Sequence, residues 1–368
     1  MKRTTPALAL LVSAGLLATA CSGDEESAPS TTETVTVDST IEETTTTRAT
    51  TTTTSPPPST TPDTVADVLR MPLTGEPVED PTDIPDRPAL VVKISNAPLS
   101  VVPQAGLNSA DLVFEEVIND AATRLAVVFH SQDMDPVGPV RSGRNQDINL
   151  LLSLQRPLFA WSGGNPAVTR AIRDSDLVDL SAVNGSSGYY RRSGRRSPNN
   201  LYTDTEALWA QTTEDAGRPV PVFPYLREGE ELSGEPATRV EVTMDSLDVV
   251  WEYDAESGGY YRTQNGQEHT TETEDDVEPV WAKNVVVILA DYGQNPADGN
   301  PEAQVLGSNP VFVFSGGLVQ EGEWLRFLPE DPFEFFDNFD DLNPLPLQPG
   351  RTWTEIPRNL DDVVSWEE

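Results

Sequence analysis

Continuous apolar runs rich in β-branched residues recur through the first half of the chain. A run of this kind, in which apolar and polar positions do not alternate, is typical of a strand buried on both faces. Four such runs cover Arg87 to Asn96, Ala110 to Ile118, Thr123 to His130 and Pro157 to Trp161. They predict four buried strands.

Two segments of the first half have helical spacing instead. The first follows Asn145, which is suited to an N-cap, and its apolar residues fall on one face. These residues are Ile148, Leu151, Leu152 and Leu154. The second segment starts at Asn165-Pro166 and runs to Arg173. Because strands alternate with helices, the sequence predicts a layered α/β domain over residues 75–225.

The pattern changes beyond a proline-rich stretch at Pro219 to Pro224. Short strand-like segments then follow one another with turns between them, and Asn265-Gly266 has the composition of a hairpin turn. The segments are Ala237 to Met244, Asp248 to Asp254, Gly259 to Thr263, Val285 to Leu289, Val311 to Phe314 and Trp324 to Phe327. They predict a mainly β domain over residues 236–357.

The N-terminus has the layout of an export signal. Residues 1–20 combine a basic start, an apolar run and small residues, as in a secretory signal peptide. Cys21, the sole cysteine, follows Leu16-Leu17-Ala18-Thr19-Ala20, which resembles a bacterial lipobox except that Ala18 stands where leucine is usual. We therefore predict lipidation of Cys21 and a place on the extracytoplasmic face of the bacterial cell membrane. The alternative is a secreted protein whose cysteine is incidental.

Residues 21–66 have the composition of a tether. Threonine supplies 17 of the 34 residues between positions 31 and 64, and most others are Ser, Pro, Glu or Asp. Such a segment cannot bury enough apolar area to offset its conformational entropy. The sequence therefore predicts a disordered Thr/Ser/Pro tether.

The net charge of the chain restricts the kinds of molecule that it can bind. The formal net charge of −36 argues against nucleic acid, because binding phosphates along a duplex requires a broad basic surface. One basic region stands out, since nine arginines and four aspartates are the only charged residues between positions 141 and 196. It begins in the segment Gly138-Pro139-Val140-Arg141-Ser142-Gly143-Arg144.

This basic region predicts an anion-binding site. Two guanidinium groups three residues apart, at the start of the first predicted helix, suit a phosphate or carboxylate. The residues we assign to this site are Arg124, Arg141, Ser142, Arg144, Arg191 and Asn199. The alternative is that the arginines pair with the protein's own carboxylates, which are plentiful among 60 acidic residues.

Catalytic chemistry is restricted by the residue counts. Cys21 is assigned to lipidation, and two histidines cannot form a three-histidine zinc site. A serine triad would have to combine His130 with Ser142. The acidic stretches Glu272 to Glu278 and Asp331 to Asp341 lack the spacing of a calcium loop. We predict no metal and no cofactor, and the weak catalytic candidates are Glu115 and Glu116 as a general base.

A set of short motifs resembles those of a known family. In order, they are Arg87-Pro88, Gln104 to Leu107, Ala110 to Glu115, Thr123-Arg124, Gly138 to Arg144, Pro198 to Asn200, Tyr260 to Arg262, Gly266, Ala282 to Val285 and Pro349 to Trp353. Together with the signal and tether, they resemble the YerB-like bacterial lipoproteins, built of two consecutive domains of unknown function (family 3048). The chain departs from the family pattern at Asn119 to Ala122, where Glu-Gly-Gly is usual. The resemblance implies fold and location, but no reaction.

Three functions stay open at this stage. The first is a non-enzymatic binding module for an anionic envelope component, such as a phosphorylated glycan or a lipid-linked precursor. The second is an envelope hydrolase or transferase with a glutamate base. The third is a lipoprotein that docks an envelope protein partner through its acidic β domain. In all three the lipid anchor makes the membrane contact.

Replacing Cys21 tests the anchor. We expect Cys21→Ser to move the protein from the membrane fraction to the detergent-free supernatant, because serine cannot receive the lipid. Fractionation of cells that express each form measures this, and unchanged partitioning would contradict lipidation.

Overall fold

The computed structural model describes residues 68–295 and 298–368. The predicted signal peptide, Cys21 and the tether to residue 66 lie outside the described residues. In the first half, the strands are β1 Leu90–Ser95, β2 Gln104–Ala105, β3 Leu112–Val117, β4 Thr123–Phe129, β5 Leu158–Ala160, β6 Val178–Asp179, β7 Tyr189–Arg191 and β8 Leu201–Thr203. The α-helices are α1 Gln146–Leu151, α2 Pro166–Arg173 and α3 Thr205–Trp209. The four apolar runs are confirmed as β1, β3, β4 and β5.

In the described part of the second half, all the regular elements are strands. They are β9 Glu235–Pro236, β10 Arg239–Met244, β11 Leu247–Asp254, β12 Gly259–Gln264, β13 Gln267–Glu268, β14 Thr270–Glu272, β15 Val277–Pro279, β16 Trp281–Ala282, β17 Asn284–Ile288, β18 Asp291–Gln294, β19 Pro301–Gln304, β20 Gly307–Ser315, β21 Leu318–Arg326, β22 Glu334–Phe336, β23 Thr352–Ile356 and β24 Val364–Glu367. Asn265 and Gly266 form the predicted two-residue turn between β12 and β13, both with positive φ.

One sheet runs through both halves. Its order is β22-β21-β20-β17-β23-β3-β4-β1-β5-β6, and β9 also pairs with β21. The halves meet where β23 lies parallel to β3, with Glu355 opposite Glu115. The strand β23 was not predicted, because its alternation of Thr, Trp and Glu lacks an apolar run.

Both faces of this sheet are covered. On one face, a six-stranded sheet containing β10, β11, β12 and β24 packs its apolar side chains against those of β1, β3, β4 and β17. On the other face lie α1, α2 and the segment around Phe223. Strands in the middle of such a sandwich are buried on both faces, which explains their continuous apolar sequence.

The helices are fewer and shorter than a layered α/β domain requires. The fold is mostly sheet, and the α/β prediction holds only locally, where β5, α2 and the parallel β6 follow one another. Asn165 caps α2 as predicted, because its side chain accepts from the N–H groups of Ala167 and Val168. Asn145 was wrongly predicted as a cap, since its backbone is helical and its side chain donates to Glu302 instead.

None of the helices described is long and apolar enough to cross a bilayer.

Candidate functional site

The loop 138–144 lies at the carboxyl ends of two parallel strands, β1 and β5. Arg141 donates its backbone N–H to the carbonyl of Lys93 on β1 (2.8 Å), and its own carbonyl accepts from Ser162 just after β5 (2.8 Å). A Cβ at Gly143 would lie 2.7 Å from Cδ1 of Ile172, so any larger residue there would force that side chain to shift. The loop thus fills the gap where β1 and β5 end, a common position for ligand sites in sheets with parallel strands.

Three arginines, Arg124, Arg141 and Arg144, form what we call the arginine cluster. Arg124 donates to the carbonyl of Ser142 (3.0 Å), and Arg144 donates to Oδ1 of Asn119 (2.8 Å). The Nε atoms of Arg141 and Arg144 are buried and have no acceptor. In the described part of the chain, no carboxylate forms an ion pair with any of the three guanidinium groups.

Like charges therefore face one another in the arginine cluster. Burial, together with repulsion from Arg144 and Arg141, lowers the pKa of Arg124 to about 9. Burial and the charge of Arg144 lower the pKa of Arg141, whereas burial lowers that of Arg144 against the opposing charges of Asp147, Glu116 and Asp298. Arg124 is almost wholly buried, whereas Arg141 and Arg144 are half-buried and open to solvent. A negatively charged group placed among them would relieve this repulsion.

A buried ionic group lies beside the arginine cluster. The Nζ atom of Lys93 contacts Oε1 of Glu116 and lies 2.6 Å from Oδ1 of Asp147, and all three side chains are inaccessible to solvent. Asp147 also accepts the backbone N–H of Arg144 (2.6 Å), which ties this group to the loop. Burial, with the nearby charge of Asp147, raises the pKa of Glu116 to about 7.

The other candidate base, Glu115, faces the opposite way. Adjacent residues of a strand point to opposite faces, and both faces of this sheet are covered, so both glutamates are buried. Oε2 of Glu115 accepts from Nη2 of Arg262 on β12 (2.7 Å), and Oε1 accepts from Asn96 (2.7 Å) and Thr123 (2.5 Å). Glu115 therefore has a structural role in the core between the two sheets.

Arg262 is the centre of that buried network. Its Nε lies 3.4 Å from Oε1 of Glu355, and its Nη1 donates to Nδ1 of His269 (2.7 Å). Because Nδ1 is an acceptor, His269 carries its proton on Nε2 and donates to Oε1 of Gln104 (2.9 Å). Burial and the charge of Arg262 lower the pKa of His269, so the ring is neutral.

Comparisons with known proteins agree with this architecture. Residues 73–218 match the model described as "Protein of unknown function (DUF3048) N-terminal domain", and residues 240–354 match the corresponding C-terminal domain. The chain belongs to the DUF3048 family.

Two comparisons extend over most of this DUF3048 protein. It is 25% identical over 311 residues to "Putative lipoprotein YerB" of Bacillus subtilis, covering 82% of this chain and 89% of that protein. A solved structure, the crystal structure of YerB protein from Bacillus subtilis, superposes with a TM-score of 0.69 at 24% identity. It covers 82% of this chain and 100% of that one. The structural likeness supports the fold.

Two of the residues that we assigned to the anion site of this DUF3048 protein lie elsewhere. Arg191 is exposed and donates to Oδ1 of Asn200 (2.6 Å). Asn199 lines a separate surface cleft with Arg195 and Arg196. No hydrogen bond joins either residue to the arginine cluster within the described ranges, so the structure does not support their part in the site.

The serine triad finds no support in the geometry either. The Nε2 atom of His130 contacts the carbonyl of Pro85 (3.2 Å), and its backbone N–H donates to Asp111 (2.5 Å). Burial and the nearby Arg87 lower the pKa of His130 to about 4. Ser142 instead contributes its carbonyl to Arg124 and lies beside Gly163.

Sequence reasoning missed Lys93 and Asp147. Lys93 interrupts an otherwise apolar run, and a lysine at that position must have a buried partner. That signal identifies Lys93 as unusual, but its partners lie 23 and 54 residues away and cannot be found from spacing.

The buried network makes a prediction about pH and stability. Burial, together with the charge of Glu115, raises the pKa of Glu355 from 4.5 to about 8. Between those values the folded protein holds a proton that the unfolded chain has released. The free energy of unfolding therefore falls as pH rises from 4.5 to 8. We expect Glu355→Gln, which stays neutral, to make the free energy of unfolding less dependent on pH in this window.

Urea unfolding at several pH values measures this effect. Glu268→Gln, which removes a carboxyl group from an exposed position on the six-stranded sheet, is the control. If the free energy of unfolding changed with pH equally in the wild type and in Glu355→Gln, a raised pKa at Glu355 would be contradicted.

Proposed function

We propose that this protein is an extracytoplasmic lipoprotein that binds an anionic envelope component through the arginine cluster. The observation that carries the proposal is the convergence of three guanidinium groups, none of which has a carboxylate in ion-pair contact among the described residues. A phosphate group is the ligand that this arrangement suits best, because its oxygens can accept from several guanidinium N–H groups at once. Phosphorylated glycans and lipid-linked precursors present such groups.

The charge balance of the site supports an external ligand. Lys93 and the three arginines carry four positive charges, while the nearby carboxylates Glu116, Asp147 and Asp298 carry three negative charges when ionised. Glu116 and Asp147 both contact Lys93, so the positive excess falls on the arginines. In a protein with a net charge of −36, carboxylates for internal pairing are abundant. Arginines left without them are therefore better explained by a ligand than by a structural role.

The lipid anchor rests on the sequence and on a relative. The B. subtilis relative is named a lipoprotein, and Cys21 follows a lipobox-like segment in this chain. The acidic body is repelled by anionic lipid head groups, so attachment depends on the acyl chains.

Binding is favoured over catalysis at this site. Glu115 is committed to Arg262, and Glu116 is ion-paired to Lys93 with its side chain only 1% exposed. A general base must reach the proton that it removes, and neither glutamate is open to a substrate in this conformation.

Removing two arginines tests the proposal. We expect phosphate to raise the melting temperature of the wild type, since a ligand at 100 times its Kd stabilises the folded state by about 2.7 kcal/mol. Arg141→Ala/Arg144→Ala should abolish this gain and change the ligand-free stability little, because like charges have been removed. The control is Arg170→Ala/Arg173→Ala, which removes two exposed arginines from α2. Thermal melts at fixed ionic strength measure all three proteins.

One outcome of these melts would contradict anion binding. A ligand-free loss of roughly 3–5 kcal/mol in the Arg141→Ala/Arg144→Ala variant, with no effect of phosphate on the wild type, would mean that the arginines serve internal pairing.

Glu116 makes anion binding depend on pH. Its pKa of about 7 places an ionising carboxylate beside Arg124 and Arg144, so loss of its proton adds a negative charge that opposes an anion. We expect sulfate, which does not titrate near neutral pH, to bind the wild type several-fold more tightly at pH 6 than at pH 8. Glu116→Gln should bind equally at both. Calorimetric titration measures the affinities, and a wild-type affinity independent of pH would contradict this role.

A further inference from the structure

We propose that a second site, an apolar groove with an acidic rim, binds a cationic protein segment with apolar side chains at its centre. The groove has a volume of about 360 Å³ and lies between residues 221–224 and β22, at one end of the eleven-stranded sheet. We call it the acidic groove. Apart from Glu334, its lining consists of proline, phenylalanine, leucine and valine side chains.

Exposed apolar side chains continue the lining onto the surface. Phe327, Leu328, Phe339 and Leu342 are each more than half exposed, and all lie within 16 consecutive positions. Leu342 lines the groove itself, and Phe339 packs edge-on against the lining residue Phe336 (5.0 Å between ring centres). Scattered exposed apolar residues are ordinary, but exposed apolar side chains that extend an apolar groove, as Leu342 and Phe339 do, mark an interaction surface.

The acidic residues that form the rim of the groove indicate that its partner is positively charged. Six acidic residues and no basic one lie between Leu328 and Leu342. None of the six forms an ion pair with another described residue. Arg326, the nearest cation along the chain, is 1% exposed and donates to the carbonyls of Asp331 and Asn149. The charges of Asp331 and Glu330 act on it, which leaves Glu334, Asp337, Asp340 and Asp341 without a cation in contact in the described part of the chain. A partner with Lys or Arg residues complements this rim.

Binding through backbone pairing is blocked at this edge. The β22 strand pairs with β21 on one side. On its other side, Phe335 accepts from the N–H of Leu345 (3.0 Å) and Asp337 donates to the carbonyl of Asn343 (3.0 Å). Because the returning chain already satisfies these groups, a partner cannot add a strand and must insert side chains.

These features select one kind of occupant. The volume is at the lower end for ligand pockets and holds a few side chains. A second copy of this chain would bring a similarly acidic surface, and anionic lipid heads would be repelled. A protein segment with a short apolar centre between Lys and Arg residues meets both the lining and the rim.

Synthetic peptides test this site. The probes are short peptides with varied Pro, Leu and Phe centres flanked by Lys and Arg, and the same centres flanked by Asp and Glu. We expect the basic set alone to bind the wild type. Leu342→Asn/Phe339→Ser should weaken binding by about tenfold, which corresponds to about 1.4 kcal/mol. Asp340→Asn/Asp341→Asn should weaken it several-fold and reduce its dependence on salt. Fluorescence anisotropy measures each affinity.

The variants were chosen to keep the fold. Leu342 has φ of 54°, a backbone conformation that asparagine adopts readily, and Phe339, Asp340 and Asp341 are exposed. The control is Leu360→Asn/Asp361→Asn/Asp362→Asn, which makes similar changes on an exposed segment outside the groove and should leave binding unchanged.

Several outcomes would overturn the proposal. They are equal binding of acidic and basic peptides, affinity that the groove variants do not alter, no binding of any peptide, or a dimer of this chain that Leu342→Asn/Phe339→Ser dissociates. Arg141→Ala/Arg144→Ala should bind the basic peptides normally, so this result is independent of the anion site.

Discussion

The ion pair between Arg262 and Glu115 joins the two halves of the protein. Arg262 comes from the six-stranded sheet, while Glu115 and Glu355 come from adjacent strands of the large sheet, and all three are fully buried. A buried guanidinium must be paired, and removing one partner of such a pair typically costs about 3–5 kcal/mol. Both sheets must therefore be in place before either charge is satisfied. The two consecutive family domains are thus held together by this ion pair as well as by the pairing of β23 with β3.

The strand β3 connects this buried network to the candidate site. Its successive side chains alternate between the faces, so Glu115 enters the network with Arg262 while Glu116 contacts Lys93 on the other face. On the adjacent strand β4, Arg124 is the residue paired with Glu116. The strand that carries Glu115 into the core therefore also places Glu116 beside Arg124, the first residue of the arginine cluster.

The two networks treat charge in different ways. Around Arg262, carboxylates, a neutral histidine and amide groups surround one cation. In the arginine cluster, Arg124 and Arg144 donate to backbone carbonyls and an amide, and Arg141, Ser142 and Arg144 are partly exposed. The cation of the first arrangement is ion-paired to Glu115, whereas none of the three guanidinium groups of the second has a carboxylate in ion-pair contact among the described residues. That contrast supports different roles for adjacent glutamates of one strand.

The sequence by itself determined the buried strands, the cap of α2, the hairpin turn at Asn265-Gly266 and the basic loop 138–144. These depend on local periodicity, on side chains that bond within a few residues, or on backbone conformations that only certain residues adopt. The tertiary structure decided that β23 joins β3, that Glu115 and Glu116 have separate roles, and that Arg191 and Asn199 lie apart from the arginine cluster. Each of these depends on contacts between residues far apart in the chain, such as Glu115 with Arg262, 147 positions away. No local pattern records such a partner, because burial on both faces and the pairing of charges arise only when the sheets assemble.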